Sequence, residues 1–410
     1  MKYILVIGDG MADNPVPELG GKTPLETADI PHIDALAAAG TLGSVRNCPE
    51  GFPPGSDTAI MSIFGCSPRL YYSGRAPLEA ADQGIELENG DAAFRCNNVA
   101  LSDADDFDKR KMLSHSAGGI SGAEGRELIE YLFSHPEFKP LAEKARMSIN
   151  PTDSYRHIAV QKQADIKGIV LAPPHDHLNE SVSDIRPHGC ADADVLYELM
   201  KKATEILEKH PVNLRRKAEG KLPANGIWFW AEGTAAKLPN FVEHYGATGG
   251  VVSAVPLCHG IAKMVGLQAI SVDGATGEWE TNYEGKVEAA LKVLENNDFA
   301  ALHLEGPDEC SHNGQLKEKV QAIEWLDSRV VEPVCAALRA KGESFRMLIL
   351  SDHKTLMANG QHDGTPVPFI IYDSRVSEGS GLGYTEKNGE KGPYVDDGVR
   401  LMSMLFQTES

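Results

Sequence analysis

The amino-acid sequence predicts an α/β protein with a mainly parallel sheet and helices on both faces. Continuous apolar runs without alternation recur along the chain, as in strands that are buried on both faces. Amphipathic helical patterns separate the later runs, and alternation of strand and helix is typical of parallel sheets. With 410 residues, 42% of them hydrophobic and 24% charged, the chain is long enough for two domains or for one domain with an insertion.

The first predicted strand is Y-I-L-V-I-G at 3–8. Runs of the same kind follow at 168–172, 226–230, 251–255, 299–304, 347–351 and 367–372. Apolar residues at i, i+3 and i+4 predict helices over 193–210, 284–297 and 315–331. The last pattern continues past Pro333, where we expect a kink or a break because proline lacks the backbone N–H.

The stretch from about 110 to 180 departs from this alternation. It contains a short helical segment at 125–133 and a short alternating segment at 154–160. We therefore predict a smaller α+β domain at 111–180, inserted into a catalytic domain formed by 1–110 and 181–410. The inserted domain is expected to cap the substrate.

Composition excludes several classes of partner. A net charge of −20 argues against nucleic acid and anionic membranes, because a polyanion would be repelled. No apolar stretch reaches the length of a membrane span, and the N-terminal apolar run is too short for a secretory signal. Seven cysteines without a C-x-x-C pair indicate reduced thiols. A cytoplasmic protein acting on a small molecule is expected.

Five residues of metal-ligand type lie close together near the C-terminal end: Asp308, His312, Asp352, His353 and His362. The first two are four residues apart, so one helical turn or a tight loop could direct both at one ion. Asp352 and His353 follow a predicted strand, at the carboxyl end where α/β proteins place their chemistry. Each residue alone could be an ordinary surface residue, but together they predict a site for one or two divalent cations such as Zn²⁺ or Mn²⁺.

Two further residues are candidates for the same site. Asp9 follows the first predicted strand between Gly8 and Gly10, which allow the backbone to turn sharply. Ser56 directly precedes a helical pattern that stops at Gly65. It could serve only as a helix N-cap. At a helix N-terminus beside a cation, its hydroxyl could also act as a nucleophile towards phosphorus.

Five motifs resemble those of the alkaline phosphatase superfamily, and most closely those of its cofactor-independent phosphoglycerate mutases of the archaeal type. They are G-D-G (8–10), P-G-S-D (54–57), P-D-E-C-S-H (307–312), S-D-H (351–353) and H-D-G-T-P-V-P (362–368). The resemblance extends over almost the whole chain, including 71–80, 94–97, 274–277 and 281–286.

The resemblance implies an alkaline-phosphatase-like fold, two divalent cations and interconversion of 2- and 3-phosphoglycerate. The cations would be Mn²⁺ or Zn²⁺, with Mg²⁺ as a third candidate. One ion would be held by Asp308, His312 and His362, and the other by Asp9, Ser56, Asp352 and His353. Ser56 would carry the phosphoryl group between the two glycerate oxygens.

A phosphorylated acid requires cationic donors, and guanidinium groups match phosphate and carboxylate bidentately. The candidate substrate-binding residues are Arg75, Arg95, Asn97, His115, Arg156, His175 and Lys263. For each arginine the alternative is a surface ion pair with one of the many acidic residues, and for each histidine a structural role.

The chain departs from the mutase pattern at two places. It has S-A-G-G at 116–119 where the family shows S-A-G-R, and Trp230 where an arginine is expected. Because each change removes a guanidinium group, a homoserine kinase-like phosphotransferase is an alternative function. A nucleotide donor would then bind without a G-x-x-x-x-G-K-[ST] phosphate loop, which the sequence lacks. The third alternative is a non-catalytic metal-binding protein.

Overall fold

The computed structural model of the chain describes residues 1–376 and 378–408. The chain forms two compact units, Met1–Tyr72 with Lys237–Ser410, and Ser73–Ala236. The predicted insertion at 111–180 lies within the second unit, which is larger at both ends. The reason is strand pairing, because β3 (Ala92–Leu101) pairs with both β6 (Arg156–Gln161) and β7 (Gly226–Thr234).

The remaining strands are β1 (Lys2–Gly8), β2 (Thr41–Val45), β4 (Met112–Ser114), β5 (Met147–Asn150), β8 (Gly249–Val252), β9 (Gln268–Ile270), β10 (Phe299–Leu304), β11 (Phe345–Leu350), β12 (Lys354–Thr355), β13 (His362–Asp363), β14 (Val367–Asp373) and β15 (Tyr394–Val395).

The helices are α1 (Pro24–Thr27), α2 (Pro31–Ala39), α3 (Ser56–Ile63), α4 (Pro68–Tyr71), α5 (Ala76–Asp82), α6 (Gly122–Ser134), α7 (Lys139–Lys144), α8 (Val182–Ile185), α9 (Ala191–Leu207), α10 (Pro211–Ala218), α11 (Phe241–Tyr245), α12 (Pro256–Met264), α13 (Tyr283–Asn296), α14 (Gly306–His312), α15 (Leu316–Leu326), α16 (Glu332–Ala340), α17 (Glu386–Gly389) and α18 (Arg400–Phe406).

The first unit is built on an eight-stranded sheet in the order β15-β2-β14-β11-β1-β10-β8-β9. Strands β11, β1, β10, β8 and β9 run parallel, which confirms the predicted α/β class with a mainly parallel sheet. β14 runs antiparallel to both of its neighbours. The short β12–β13 hairpin reverses the chain after β11, so the predicted strand at 367–372 returns beside it in the opposite direction.

The three central strands set the position of the candidate site. β1 lies between β10 and β11, and all three strands are buried along almost their whole length. Because the three strands are parallel, their carboxyl ends, at Gly8, Leu304 and Leu350, meet at one edge of the sheet. Side chains that follow these residues are therefore brought together.

The second unit contains an antiparallel sheet in the order β4-β3-β6-β5, with β7 paired to β3. Its core includes the fully buried aromatic side chains of Phe94, Trp228 and Phe229. The β3–β7 pairing is interrupted by a bulge near Phe94. Two residues of β7, Ala231 and Glu232, occupy the bulge, and Ala231 has a φ of 53°.

Two predicted elements differ from the structure. Residues 168–172 do not form a strand, because only Val170 makes a bridge, to His188. The helix predicted over 315–331 continues to Ala340, and a π-helical turn at Asp327–Val331 joins α15 to α16. Pro333 lies two residues after this π-helical turn, and the helix continues through it without a break. Among the residues that the structure describes, no helix combines the length and apolar character needed to cross a bilayer.

Candidate metal centre and nucleophile

Seven residues meet at the carboxyl edge of the central sheet. Asp9 follows β1, Asp352 and His353 follow β11, Asp308 and His312 lie on α14 after β10, His362 begins β13, and Ser56 begins α3. All seven were predicted from the sequence as one site. The described atoms form two groups of candidate ligands, Asp308 with His312 and His362, and Asp9 with Asp352 and His353.

In the first group, the ligand atoms of three residues lie close together. Nε2 of His312 lies 3.0 Å from Nε2 of His362 and 3.2 Å from Oδ2 of Asp308, and Nε2 of His362 lies 3.3 Å from Oδ1 of Asp308. Ligands of a tetrahedral Zn²⁺ ion with bonds near 2.05 Å are about 3.3 Å apart. These spacings therefore fit a cation shared by the three residues.

The second group has buried oxygens without a partner in the protein. Nε2 of His353 lies 3.3 Å from Oδ2 of Asp352 and 3.7 Å from Oδ1 of Asp9. Both of these oxygens are inaccessible to solvent and accept no hydrogen bond. Two buried carboxylate oxygens without donors are costly in a protein interior. A cation between them would supply the missing positive charge, so these residues also fit a metal ion.

The two groups are adjacent. The rings of His353 and His362 are 4.1 Å apart between centroids. The hydroxyl of Thr355 donates to Oδ1 of Asp308 and lies 3.2 Å from Nδ1 of His353. Gly10 has a φ of 60°, and a Cβ there would lie 2.8 Å from Oδ1 of Asp308. Only glycine therefore fits at this turn, in agreement with the sharp backbone turn predicted beside Asp9.

Ser56 is the first residue of α3, and its side chain does not cap that helix. The N-cap is Gly55, and no side-chain cap hydrogen bond forms there. The hydroxyl instead lies 3.1 Å from Nε2 of His353 and donates to Oδ2 of Asp9 at 3.3 Å. The structure thus gives Ser56 a place beside the second ligand group rather than the alternative role of a helix cap.

In the two groups, the pKa values of the carboxyl groups of Asp9 and Asp308 are shifted in opposite directions. Burial and the nearby carboxylate of Asp352 raise the pKa of Asp9 well above its usual range. Burial also favours protonation of Asp308, yet hydrogen bonds from His312 and His362 hold its pKa well below its usual range. The same interaction raises the pKa of His312 to about 8. Protonated histidine therefore balances the negative charge of Asp308 in the first group, whereas the second group lacks a positive charge.

Sequence reasoning missed the buried residues that surround these groups. His303, within the apolar strand β10, is hydrogen-bonded through Nε2 to Oδ2 of Asp9 at 2.9 Å. Lys319 is fully buried and donates to Oδ2 of Asp13 at 2.9 Å and to the carbonyl of Thr355 at 2.7 Å. A polar residue inside an otherwise apolar strand or helix face was the available signal, because such residues are rarely buried without a partner.

In the second unit, the three predicted arginines lie around one carboxylate and one indole. Arg95 is 3% exposed and makes a bidentate pair with Glu79, which also accepts from Nε of Arg75 at 3.2 Å. The guanidinium groups of Arg95 and Arg156 lie 4.6 Å and 5.6 Å from the ring centroid of Trp230. We call these five residues the guanidinium cluster. The alternative of simple surface ion pairs does not describe Arg95, which is buried.

The position of Arg75 depends on a close backbone approach. Gly74 has a φ of 145°, and a Cβ at this residue would lie 1.8 Å from the carbonyl oxygen of Glu232 in the β7 bulge. Ser73 also donates to the carbonyl of Thr234 at 2.7 Å. The bulge therefore seats the loop that carries Arg75, as bulges beside functional sites often do.

Three more predicted binders adjoin the cluster. Asn97 accepts a hydrogen bond from Nε1 of Trp230 at 3.0 Å and donates to the carbonyl of His115 at 2.9 Å. The ring of His175 lies 5.1 Å from that of Trp230 and 6.0 Å from that of His115. The seventh candidate, Lys263, belongs to the first unit, where it lies exposed on α12.

Two candidate metal-binding groups and a serine hydroxyl at the strand ends of an α/β sheet are typical of phosphotransferases. Comparison with known proteins identifies the family. The family model for 2,3-bisphosphoglycerate-independent phosphoglycerate mutase matches residues 37–213. A "probable 2,3-bisphosphoglycerate-independent phosphoglycerate mutase" of Geobacter sulfurreducens is 46% identical over 408 residues, 99% of this chain and 100% of the relative. A relative from Methanosarcina acetivorans, named as the same mutase, is 44% identical over 396 residues, 96% of each chain.

Two solved structures have the same fold as this chain. A protein from Pyrococcus horikoshii superposes with a TM-score of 0.80 at 30% identity, covering 100% of this chain and 98% of the other. The cofactor-independent phosphoglycerate mutase from Thermoplasma acidophilum has the same fold, with a TM-score of 0.64 at 24% identity and full coverage of both chains. The identity to the two relatives shows that the chain belongs to the family of 2,3-bisphosphoglycerate-independent phosphoglycerate mutases, as its motifs predicted.

Proposed function

We propose that this protein interconverts 2- and 3-phosphoglycerate without bisphosphoglycerate, through a phosphorylated Ser56, at a centre with two divalent cations. The observation that carries the proposal is the place of the Ser56 hydroxyl, 3.1 Å from His353 and 3.3 Å from Asp9. A helix-capping serine would not need these neighbours. The names of the relatives supply the substrate class.

Two sets of residues would hold the cations. One is Asp308, His312 and His362, and the other is Asp9, Ser56, Asp352 and His353. Bound cations would neutralise phosphoryl charge and favour the ionised serine. The mixture of carboxylate and imidazole suits Mn²⁺ and Zn²⁺ better than Mg²⁺, which prefers oxygen ligands.

The serine carries the phosphoryl group in two half-reactions. Oγ of Ser56 attacks phosphorus, the bond between phosphorus and the first glycerate oxygen breaks, and that oxygen takes up a proton. The second glycerate hydroxyl then attacks the phosphoserine and loses its proton, and the bond from Oγ to phosphorus breaks. The protons balance over the two steps: the proton lost from Oγ of Ser56 is taken up by the departing glycerate oxygen, and the proton lost by the second hydroxyl returns to Oγ.

We assign the anionic groups of the substrate to the guanidinium cluster. It has three guanidinium groups and one carboxylate, Glu79, so its net charge is positive. Burial alone would raise the pKa of Glu79, but its pairing with Arg95 lowers that pKa, so the carboxylate is ionised at neutral pH. Asn97, His115, His175 and Lys263 remain proposed substrate contacts.

A coupled assay tests the reaction directly. Protein loaded with Mn²⁺ is offered 3-phosphoglycerate without bisphosphoglycerate, and formation of 2-phosphoglycerate is followed through enolase. We expect turnover that chelation abolishes and added Mn²⁺ restores, and acid-quenched protein should contain a phosphorylated peptide that includes Ser56. Turnover without such a peptide, or full activity in chelator, would refute the proposal.

Trp230 supports homoserine phosphorylation as the second candidate. It places an uncharged indole against two guanidinium groups, and Gly119 contributes no side chain at the other departure from the family pattern. Fewer cationic groups suit a zwitterionic amino acid better than a phosphorylated acid. Phosphate transfer from ATP to homoserine in the same preparation, without mutase turnover, would favour this candidate.

We place the reaction in the cytoplasm. All seven cysteines are unpaired, and six of them are buried, as expected for thiols kept reduced.

A further inference from the structure

We propose that His303 is a positioning residue that fixes the orientation of the Asp9 carboxylate for metal binding. The inference rests on the proposed function, because it assumes that Asp9 is a metal ligand. It adds a residue outside the two candidate ligand groups and gives it a defined chemical task. Ser253 is assigned as its partner.

The two side chains face each other across neighbouring parallel strands. His303 lies on β10 and Asp9 directly follows β1, and each is 1% exposed. Nε2 of His303 is 2.9 Å from Oδ2 of Asp9, while the backbone N–H of Asp9 donates to the carbonyl of Leu304 at 2.9 Å. The sheet itself therefore fixes the distance between imidazole and carboxylate.

The hydrogen-bond partners of the two ring nitrogens determine the tautomer of His303. Nδ1 lies 3.1 Å from Oγ of Ser253, which accepts a hydrogen bond from the backbone N–H of Val255 at 3.0 Å. Ser253 can therefore donate its own proton to Nδ1. A carboxylate that binds a cation is ionised and can only accept, so Nε2 must carry the proton that faces Asp9.

The surroundings keep this arrangement in place. Nζ of Lys286 donates to the carbonyl of His303 at 3.0 Å, and Nε2 of His259 donates to the carbonyl of Ser253 at 2.9 Å. Both ends of the Ser253–His303 pair are thus held by buried donors. Because the tautomer and the position of the His303 imidazole are both fixed, its hydrogen bond can hold the Asp9 carboxylate in one orientation.

The consequence for Asp9 is that its two oxygens have different tasks. Oδ2 accepts from His303 and from the Ser56 hydroxyl, whereas Oδ1 is buried and has no hydrogen-bond partner. Without His303 the Asp9 carboxylate could rotate, and Oδ1 would then no longer face His353 and Asp352. Hydrogen bonds to metal ligands of this kind typically affect metal affinity 10- to 100-fold.

Two substitutions at the same residue separate the hydrogen bond from the packing. The amide nitrogen of glutamine lies as many bonds from Cα as Nε2 of histidine, and that of asparagine matches Nδ1. His303→Gln can therefore still donate to Asp9, whereas His303→Asn cannot. Both are made in a His312→Ala parent, in which the first ligand group is disabled and only the second can bind Mn²⁺ tightly.

The measurement is calorimetric titration of metal-free protein with Mn²⁺, together with thermal unfolding of the metal-free form. We expect His303→Asn to weaken Mn²⁺ binding about 10- to 100-fold relative to the parent and His303→Gln to remain within about threefold. The two metal-free variants should unfold at similar temperatures. Equal Mn²⁺ affinity in the two variants would overturn the assignment of His303.

Ser253→Ala is the variant to use if His303→Asn does not fold. It removes the group that fixes Nδ1 of His303, and we expect weaker Mn²⁺ binding in the same parent. Unchanged binding would overturn the proposal. If the His312→Ala parent itself binds no Mn²⁺, the proposed metal centre fails, and the inference fails with it. Binding by the parent with no difference among the variants refutes the inference alone.

Discussion

Replacing Ser56 by alanine should remove activity with almost no effect on stability. Ser56 is the first residue of α3 and makes no cap hydrogen bond, so alanine loses no cap and gains slightly in helix propensity. Oδ2 of Asp9 keeps its hydrogen bond from His303. We therefore expect a change of less than about 1 kcal/mol in the free energy of unfolding. Loss of the nucleophile should lower kcat at least ~10³-fold.

The matched control is Ser121→Ala. Ser121 is a true N-cap, and its side chain accepts from the backbone N–H of Glu124 at 3.3 Å. Its replacement should cost about 0.5–1 kcal/mol of stability and leave mutase activity intact. Thermal unfolding and the enolase-coupled assay are measured on both variants. Ser56 is not the nucleophile if Ser56→Ala keeps more than a tenth of wild-type kcat, and its side chain has a structural role if Ser56→Ala destabilises the protein more than Ser121→Ala does.

Three further substitutions or titrations test the site. Glu79→Gln leaves the buried Arg95 without its carboxylate and should cost about 3 kcal/mol, or roughly 6–12 °C in the unfolding temperature of a unit of this size. Since the folded protein lowers the pKa of Glu79, this stabilisation is present above the unfolded pKa near 4.3, and the deficit should shrink as the pH falls below it. Trp230→Leu removes the indole face stacked with two guanidinium groups and should raise KM for 3-phosphoglycerate about 5- to 30-fold, with kcat changed less than about threefold. Mn²⁺ affinity of the group that contains Asp308 should rise with pH up to about 8 and then level off, because His312, with a pKa of about 8, must lose its proton to bind.

Each of these three predictions has its own control and an outcome that would contradict it. Glu130→Gln removes an exposed carboxylate that pairs with Arg126 and should change stability by less than about 0.5 kcal/mol. If Glu79→Gln destabilises the protein no more than Glu130→Gln does, the buried ion pair of Glu79 and Arg95 does not contribute the expected stability. Trp230→Phe keeps an aromatic face and should raise KM less than Trp230→Leu. Affinity for Mn²⁺ that is flat between pH 6 and 8 would show that His312 is not a ligand.

Much of the fold could be predicted because fully buried strands leave a direct signal. The apolar runs at 3–8, 299–304 and 347–351 became β1, β10 and β11, the three central strands. The run at 168–172 did not become a strand, because an apolar run of five residues gives no indication of whether a neighbouring strand is available to pair with it. The antiparallel direction of β14 also had no local signal.

The candidate site divides in the same way. Ligand residue types directly after predicted strands could be recognised as a set, and parallel strands bring such residues to one edge. The sequence could not distinguish Ser56 as a helix cap from Ser56 beside a ligand group, since both begin a helix. His303 was missed because a histidine within an apolar strand gives no indication of what it contacts.

The sequence by itself determined the α/β class, the family and the chemical types of the seven predicted metal-site residues. These follow from local patterns, because buried strands must be apolar and cations require carboxylate and imidazole donors. Tertiary structure alone decided which donors converge, where the second unit begins and ends, and which buried groups surround Asp9. Those features depend on strand pairing between residues far apart in the chain, such as Ile7 with His303, and no local pattern encodes such a pairing.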